Sequence, residues 1–384
     1  MVLFLHNRYR TTGGEERVVE DLMRLVRERL GEEVELLDRD SATLGQREAA
    51  AGLLRGGLKP EDVGHAVRLT GARVVHANNL NPTLGWRALA AAREAGARVV
   101  LHLHQYRIVC AIGVCFTRGA ECTRCHGRNT LPGVRLNCRG SLGEAVAYGA
   151  SLALWQRRLA EQADAVIVPS VFARERLREL GAPLPWERVH VLAPPVGEVV
   201  AASRAATGSY ALVVSRLAPE KGVDVAIEAC RAAGMGLVIA GDGPERDALQ
   251  ERAGGSEVRF AGHVDDTELA ALRAGASIAL VPSRSAETFG LAAAEAMAVG
   301  LPVAASRVGA LPELLDEQSL VPAGDAGALA LAIGRLAGDR VTGERGLERI
   351  RALCAPAEVA EGLRQVYDAA TTPDAGGGRS RVRS

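Results

Sequence analysis

Short apolar runs alternate with longer amphipathic stretches along this chain, stop near residue 193, and then resume. Residues 2–5, 34–37, 74–76, 99–103, 165–168 and 189–192 read as strands buried on both faces of a sheet. Between them, residues 15–30 place Val18, Val19, Leu22, Leu25 and Val26 on one helical face, with Gly31 as a stop. Residues 82–95 and 170–180 behave likewise. Strand and helix in alternation imply parallel strands joined by right-handed crossovers, which is a doubly wound α/β domain.

The stretch from Ala193-Pro194-Pro195-Val196-Gly197 to Thr207-Gly208 has no period and reads as a linker. Alternation restarts after it, with strands at 210–215, 237–240, 258–260, 277–281 and 302–305 and helices between them. The expectation is two Rossmann-like domains facing a central cleft, residues 1–195 and 208–370, with the last helix able to pack back on the first. Residues 371–384 read as a disordered tail. Sheets of this kind take ligands at the carboxyl ends of their strands, so the cleft is the expected site.

Forty-six basic residues balance 46 acidic ones, which excludes a dedicated nucleic-acid binder, since phosphate contacts need a basic excess. No apolar stretch approaches the length of a membrane span, and the opening run ends too soon for a signal peptide. The expected location is cytoplasmic; Arg174, Arg176 and Arg178 of the 170–180 helix read first as a solvated arginine face, with peripheral contact at the inner face of the membrane as the lesser reading. Only Lys59 and Lys221 are lysines against 44 arginines, so each lysine stands against the drift of the composition.

Two stretches carry the chemistry. In Val281 to Pro302 a strand ends, a loop carries Glu287, and a helix opens at Gly290 with Glu295 in its second turn. Free amides and the dipole at such a helix start favour an anion. Two carboxylates flanking it suit a ligand with phosphates in the middle and hydroxyl-bearing sugars at its ends. Arg216 and Lys221, on the loop after the first strand of the second domain, supply the cations: a fork and a point charge. In the first domain, Gly13-Gly14 stands at a strand-to-helix turn where a phosphate or sugar can approach closely.

These segments, in this order, resemble the retaining glycosyltransferases of family four (group 1), of the two-Rossmann-domain GT-B type. The resemblance runs through Gly13-Gly14-x-Glu16, Val75-His76-Ala77-Asn78, Ser215-Arg216-Leu217 and Pro219-Glu220-Lys221-Gly222. It continues through Ala240-Gly241-Asp242-Gly243-Pro244-Glu245, Glu287-x-Phe289-Gly290-Leu291-x-x-x-Glu295 and Val308-Gly309-x-x-x-Glu313. It implies a nucleotide-diphosphate sugar as donor, held by Arg216 and Lys221 at the diphosphate and by Glu295 at the ribose. It implies Glu287 near the reacting carbon, the amides of Phe289, Gly290 and Leu291 on sugar and phosphate, and Gly13 and Gly14 as a cap. No catalytic metal is expected. The acceptor is a saccharide, lipid-linked or small molecule. A nucleotide-sugar epimerase or hydrolase of the same fold is the alternative. Two positions depart from the family pattern: Ala193-Pro194-Pro195-Val196-Gly197 stands where an Asn-Gly-Val-Asp turn is common, and Gln105 follows His104.

The family resemblance assigns His104, at the exit of the 99–103 strand, to the donor sugar, and leaves His102 as a packed strand histidine; for His76, at the end of another strand, an acceptor-side role is the lesser reading. Five cysteines crowd into one segment, Cys110, Cys115, Cys122, Cys125 and Cys138. The Cys122-x-x-Cys125 spacing, with Cys110 and Cys138 flanking, suggests a structural zinc site, with Cys115 or His126 able to replace one ligand. A disulfide or redox pair and unlinked thiols are the other readings. The resembled family includes members with a similar four-cysteine insertion, here about 107–140.

Overall fold

The computed structural model describes residues 1–8, 13–197 and 203–372. The first sheet uses β1 (Val2–Arg8), β2 (Val34–Asp40), β3 (Val74–Ala77) and β4 (Arg98–His102). A two-stranded antiparallel hairpin, β5 (Phe116–Thr117) and β6 (Ala120–Glu121), interrupts it before β7 (Ala165–Val168) and β8 (Val189–Val191). The second sheet uses β9 (Tyr210–Val214), β10 (Gly236–Ala240), β11 (Val258–Gly262), β12 (Ala276–Val281), β13 (Val303–Ser306) and β14 (Leu320–Val321).

Both sheets have six strands, all parallel, in the orders β2-β1-β3-β4-β7-β8 and β11-β10-β9-β12-β13-β14. Val2, Leu3, Phe4 and Leu5 are all buried, as is the whole of β12, because helices cover both faces of each sheet. The strand order reverses at β1/β3 in one sheet and at β9/β12 in the other. Loops leaving adjacent strands in opposite directions open a crevice at each of these points.

The domains are not separate in the chain. The last helix, Pro356–Thr371, leaves the second domain and buries Val359, Leu363, Val366 and Tyr367 with Val2, Phe4, Val100 and Ile167 of the first sheet. That helix ends at Thr371, and the tail expected at 371–384 lies outside the described residues from 373 onward. The linker expected between the domains is described only in part, since 198–202 also lie outside.

One boundary differs from expectation for a physical reason. The helix expected from residue 82 starts at Gly85, because Asn7 Oδ1 at the end of β1 accepts from the Thr83 amide at 3.2 Å and its hydroxyl at 2.7 Å. Residues 81–84 are thereby tied to the sheet edge. A helix that the pattern did not mark, Leu142–Glu161, packs against helix Gln46–Arg55; apolar residues on its outer face, among them Leu142, Val146 and Leu154, blur its period.

Candidate functional site

At the β9/β12 crevice, Lys221 and Glu287 come together. The loop after β9 forms a short turn at Pro219–Lys221, and Gly222 then opens helix Val223–Ala233. Gly222 has φ +63°, and a Cβ there would stand 2.1 Å from the Pro282 carbonyl, so only glycine lets the two loops touch. Lys221 Nζ donates to Glu287 Oε1 at 2.7 Å, and Ser283 Oγ donates to the same oxygen at 2.6 Å. Burial pushes the Glu287 carboxyl up, but the Lys221 ammonium and the Ser283 hydroxyl more than offset it, and the group lies below the usual carboxylate range. Gly309 holds this loop from the far side: its Cβ position lies 2.2 Å from the Glu287 carbonyl, which also accepts from the Ala310 amide.

The other donor-side residues lie on the same crevice with different partners. Arg216 is exposed and ion-paired to the buried Glu220. Phe289 sinks its ring into the second core while Gly290, at φ +100°, caps helix Leu291–Ala298. Glu295 is bridged by Arg273 and, from the first domain, by Arg17 at 3.6 Å. Arg17 also reaches Asp266 at 2.8 Å. Across the cleft, Gly14 opens helix Gly14–Leu30, and a Cβ on it would stand 3.2 Å from Leu291. Two helix N-termini therefore approach each other at one point, which concentrates positive dipole ends there. Sequence reasoning missed Ser283, Arg273 and Arg17. Ser283 lay beside the Glu287 motif and was legible as a hydroxyl at a strand end; the two arginines carried no local signal.

The first domain contributes neutral groups. His104 Nε2 lies 2.9 Å from Asn78 Oδ1, an acceptor, so Nε2 carries the proton and Nδ1 the lone pair. The Thr288 hydroxyl, next to Glu287, donates to the His104 carbonyl at 2.9 Å, and Ser170 Oγ donates to the Thr288 carbonyl at 2.7 Å. These bonds set His104 against the Glu287 loop. Burial pushes the His104 pKa down, a shift that the nearby Glu15 carboxylate opposes.

His76, for which an acceptor-side role is the lesser reading, is wholly buried. Its Nδ1 lies 2.7 Å from the Tyr367 hydroxyl of the last helix and its Nε2 lies 3.1 Å from His102 Nδ1. Strand alternation and burial put it in the core, with its pKa pushed down to about 3 by desolvation and then by His104. His102 is buried too and its ring stacks on His104 at 4.1 Å.

Beside His104 a pocket of about 80 Å³ runs into the first domain. Asn78, Trp86, His104, Gln105, Leu152 and Trp155 line it, with the two tryptophan rings 6.0 Å apart. Its walls are mostly apolar and aromatic with a few polar groups, which is the character of a site for a small organic ligand.

The structure does not support the zinc expectation. Among the described residues no three His, Cys, Asp or Glu side chains are placed to hold a metal ion, and all seven cysteines are free. The segment is held by backbone bonds instead: Tyr106 to Gly113, Cys122 to Cys115 at 2.7 Å, and Gly127 to Leu180 at 2.7 Å. Cys110 takes the fifth thiol, Cys115, as its hydrogen-bond partner, and together with backbone amides this pulls its pKa down to about 6. On the 170–180 helix, Arg174 pairs with Glu175, Arg176 pairs with Glu121 and Glu179 and lies over Phe172, and Arg178 pairs with Glu175 and lies over Trp186.

Residues 13–195 match the model of the glycosyl transferase 4-like domain, and residues 208–339 match that of glycosyl transferases group 1. A GDP-mannose-dependent α-(1-6)-phosphatidylinositol dimannoside mannosyltransferase of Mycobacterium tuberculosis is 35% identical over 181 residues, 42% of this chain and 46% of that protein. The match thus spans less than half the length of that relative. Among solved structures, sucrose-phosphate synthase from Thermosynechococcus elongatus superposes with a TM-score of 0.70 at 20% identity, covering 96% of this chain and 98% of that one. Anabaena Alr3699/HepE, solved with UDP and glucose, gives 0.63 at 17% identity over 95% and 98%. At these identities the likeness is one of fold, a pair of facing α/β domains.

Proposed function

We propose that this chain, which belongs to the glycosyltransferases by the domain models matched in both of its halves, moves a sugar with retention from a nucleotide-diphosphate sugar to an acceptor held in the first domain. The observation that carries the reading is the Lys221–Glu287–Ser283 cluster at the β9/β12 crevice, bonded through Thr288 to His104. A lysine already paired to a carboxylate is positioned before any ligand arrives. A donor diphosphate entering beside it takes up that positive charge, joined by Arg216 and the opening amides of helix Leu291–Ala298. The charge that develops on the leaving diphosphate is then met by groups that need not reorganise.

Glu295 is the candidate for the nucleotide ribose. Arg273 holds its carboxylate in place, and Gly13-Gly14 closes over the phosphates from the first domain. His104, neutral at pH 7, presents its Nδ1 lone pair to the donor sugar or the acceptor hydroxyl without a like-charge conflict with Lys221. The Trp86–Trp155 pocket takes the acceptor, whose sugar ring or apolar portion lies against the aromatic faces. The mannosyltransferase relative, named for a phosphatidylinositol mannoside, favours a lipid-linked acceptor.

The test is a thermal-shift screen against UDP- and GDP-sugars and the corresponding nucleoside diphosphates. Binding to the native state raises Tm, by about 2.7 kcal/mol of stabilisation at a hundredfold excess over Kd. No shift with any nucleotide sugar at millimolar concentration defeats the proposal.

A further inference from the structure

Helix Leu142–Glu161 is apolar on two sides. Its inner side buries Ala145, Tyr148 and Leu152. Its outer side carries Leu142, Val146 and Leu154, which are 64%, 48% and 49% exposed, with Ala150 between them. A spacing of four residues sets them in one row about 18 Å long. Leu131, 50% exposed, adds to it from the neighbouring helix Leu131–Arg135. So does Leu54, 45% exposed, whose carbonyl accepts from Trp155 Nε1 at 3.1 Å. Scattered exposed leucines need no explanation, but a contiguous row does.

The charge of the segment carrying the row is one-sided. Residues 107–161 contain eight arginines and only Glu121, Glu144 and Glu161 as acids, a formal +5 in a chain whose net charge is zero. Arg128 Nε donates to the Ala153 carbonyl at 2.8 Å, and the exposed Arg157, paired with Glu161 at 3.0 Å, lies one turn beyond Ala153, so both flank Leu154; Arg135 closes the short helix beside the row. We infer that this face of the first domain rests on an anionic lipid bilayer, with Leu142, Val146 and Leu154 in the interface and the arginines on lipid phosphates. Exposed leucines bordered by arginines match both layers of such a surface. A second copy of the chain fits worse, because a twofold contact would press like charges together.

The same helix supplies Ser151, Leu152, Trp155 and Leu159 to the pocket beside His104. A headgroup acceptor standing out of the bilayer therefore meets the pocket without leaving its membrane. This last step rests on the proposed function; the surface itself does not.

Co-sedimentation of the full chain with vesicles tests the inference. Vesicles of equal parts phosphatidylcholine and phosphatidylglycerol are expected to bind it at least about tenfold more tightly than phosphatidylcholine alone, with binding weakened by salt. The double variant Leu142→Glu/Leu154→Glu is expected to lose about tenfold or more. Arg128→Gln and Arg157→Gln are each expected to lose about fivefold. Unchanged circular dichroism and an unchanged nucleotide-induced Tm shift in these variants show that fold and donor site are intact. Equal binding to both vesicle types, leucine variants that bind like the parent, or a dimer in solution that Leu142→Glu/Leu154→Glu makes monomeric would each overturn it. Vesicle binding that persists while no nucleotide sugar shifts Tm would sink the transferase reading and leave this surface standing.

Discussion

The two domains share an all-parallel six-stranded sheet and differ at the edge where each opens on the cleft. The second domain meets it with ion pairs: Lys221–Glu287, Arg216–Glu220 and Arg273–Glu295. The first meets it with neutral imidazoles and amides: His104 on Asn78, then His102, His76 and Tyr367 behind. The same architecture thus presents mainly ion pairs on one side and mainly hydrogen-bonding polarity on the other, with Arg17 the first domain's charged reach across to Glu295. A diphosphate needs compensating charge, and an uncharged hydroxyl acceptor does not. Under the proposed function, that difference matches a donor half and an acceptor half of the chain.

The sharpest way to break this comparison is Lys221→Ala. It removes the cation and leaves Glu287 partly buried without its ionic partner, so kcat/KM for the donor should fall by roughly 10²–10³-fold. Steady-state kinetics with the donor found by thermal shift checks this, and an unaltered donor KM and kcat would return the cleft charge to a structural role. Next in size, His104→Ala should lower kcat by on the order of 10²-fold while nucleotide-induced Tm shifts persist. A parallel loss of nucleotide binding would erase the division between the domains.

The imidazole row makes a third prediction, on stability. The unfolded chain protonates His76 near 6.5, whereas the folded group resists until about 3. Between those values the unfolded state binds more protons, so the contribution is present above about pH 6.5 and is lost as pH falls. At pH 5 this group alone removes about 2 kcal/mol. Calorimetry from pH 7 to 5 should show the decline, and His76→Gln should flatten it. The smallest effect is expected from Arg17→Ala. Its bridge to Glu295 crosses the domains but is largely solvated, so donor KM should change by no more than about threefold. A larger change would mean that the first domain helps hold the nucleotide end.

Much of the site was legible because its parts are short-range. Glu287, Gly290 and Glu295 lie within one strand-loop-helix, and Lys221 stood out in a chain that avoids lysine. Arg17 and Arg273 were not legible, since each meets Glu295 only when distant segments fold together. His76 looked like a strand-end group available to ligands; the last helix, nearly 300 residues downstream, covers it with Tyr367 at |i−j| = 291. The cysteine spacing was legible too, but spacing does not fix ligand geometry, and among the described residues no three such side chains are placed to hold a metal ion.

The amino-acid order alone determined the alternation, and with it two parallel sheets and a ligand crevice at the strand ends, because side-chain periodicity and turn residues act over a few positions. Only the tertiary structure decided which charges pair across the cleft, that the histidines form a buried neutral row, and that one helix turns an apolar face outward. Those outcomes depend on what packs against each side chain, and desolvation and pairing are properties of the assembled neighbourhood, not of local sequence.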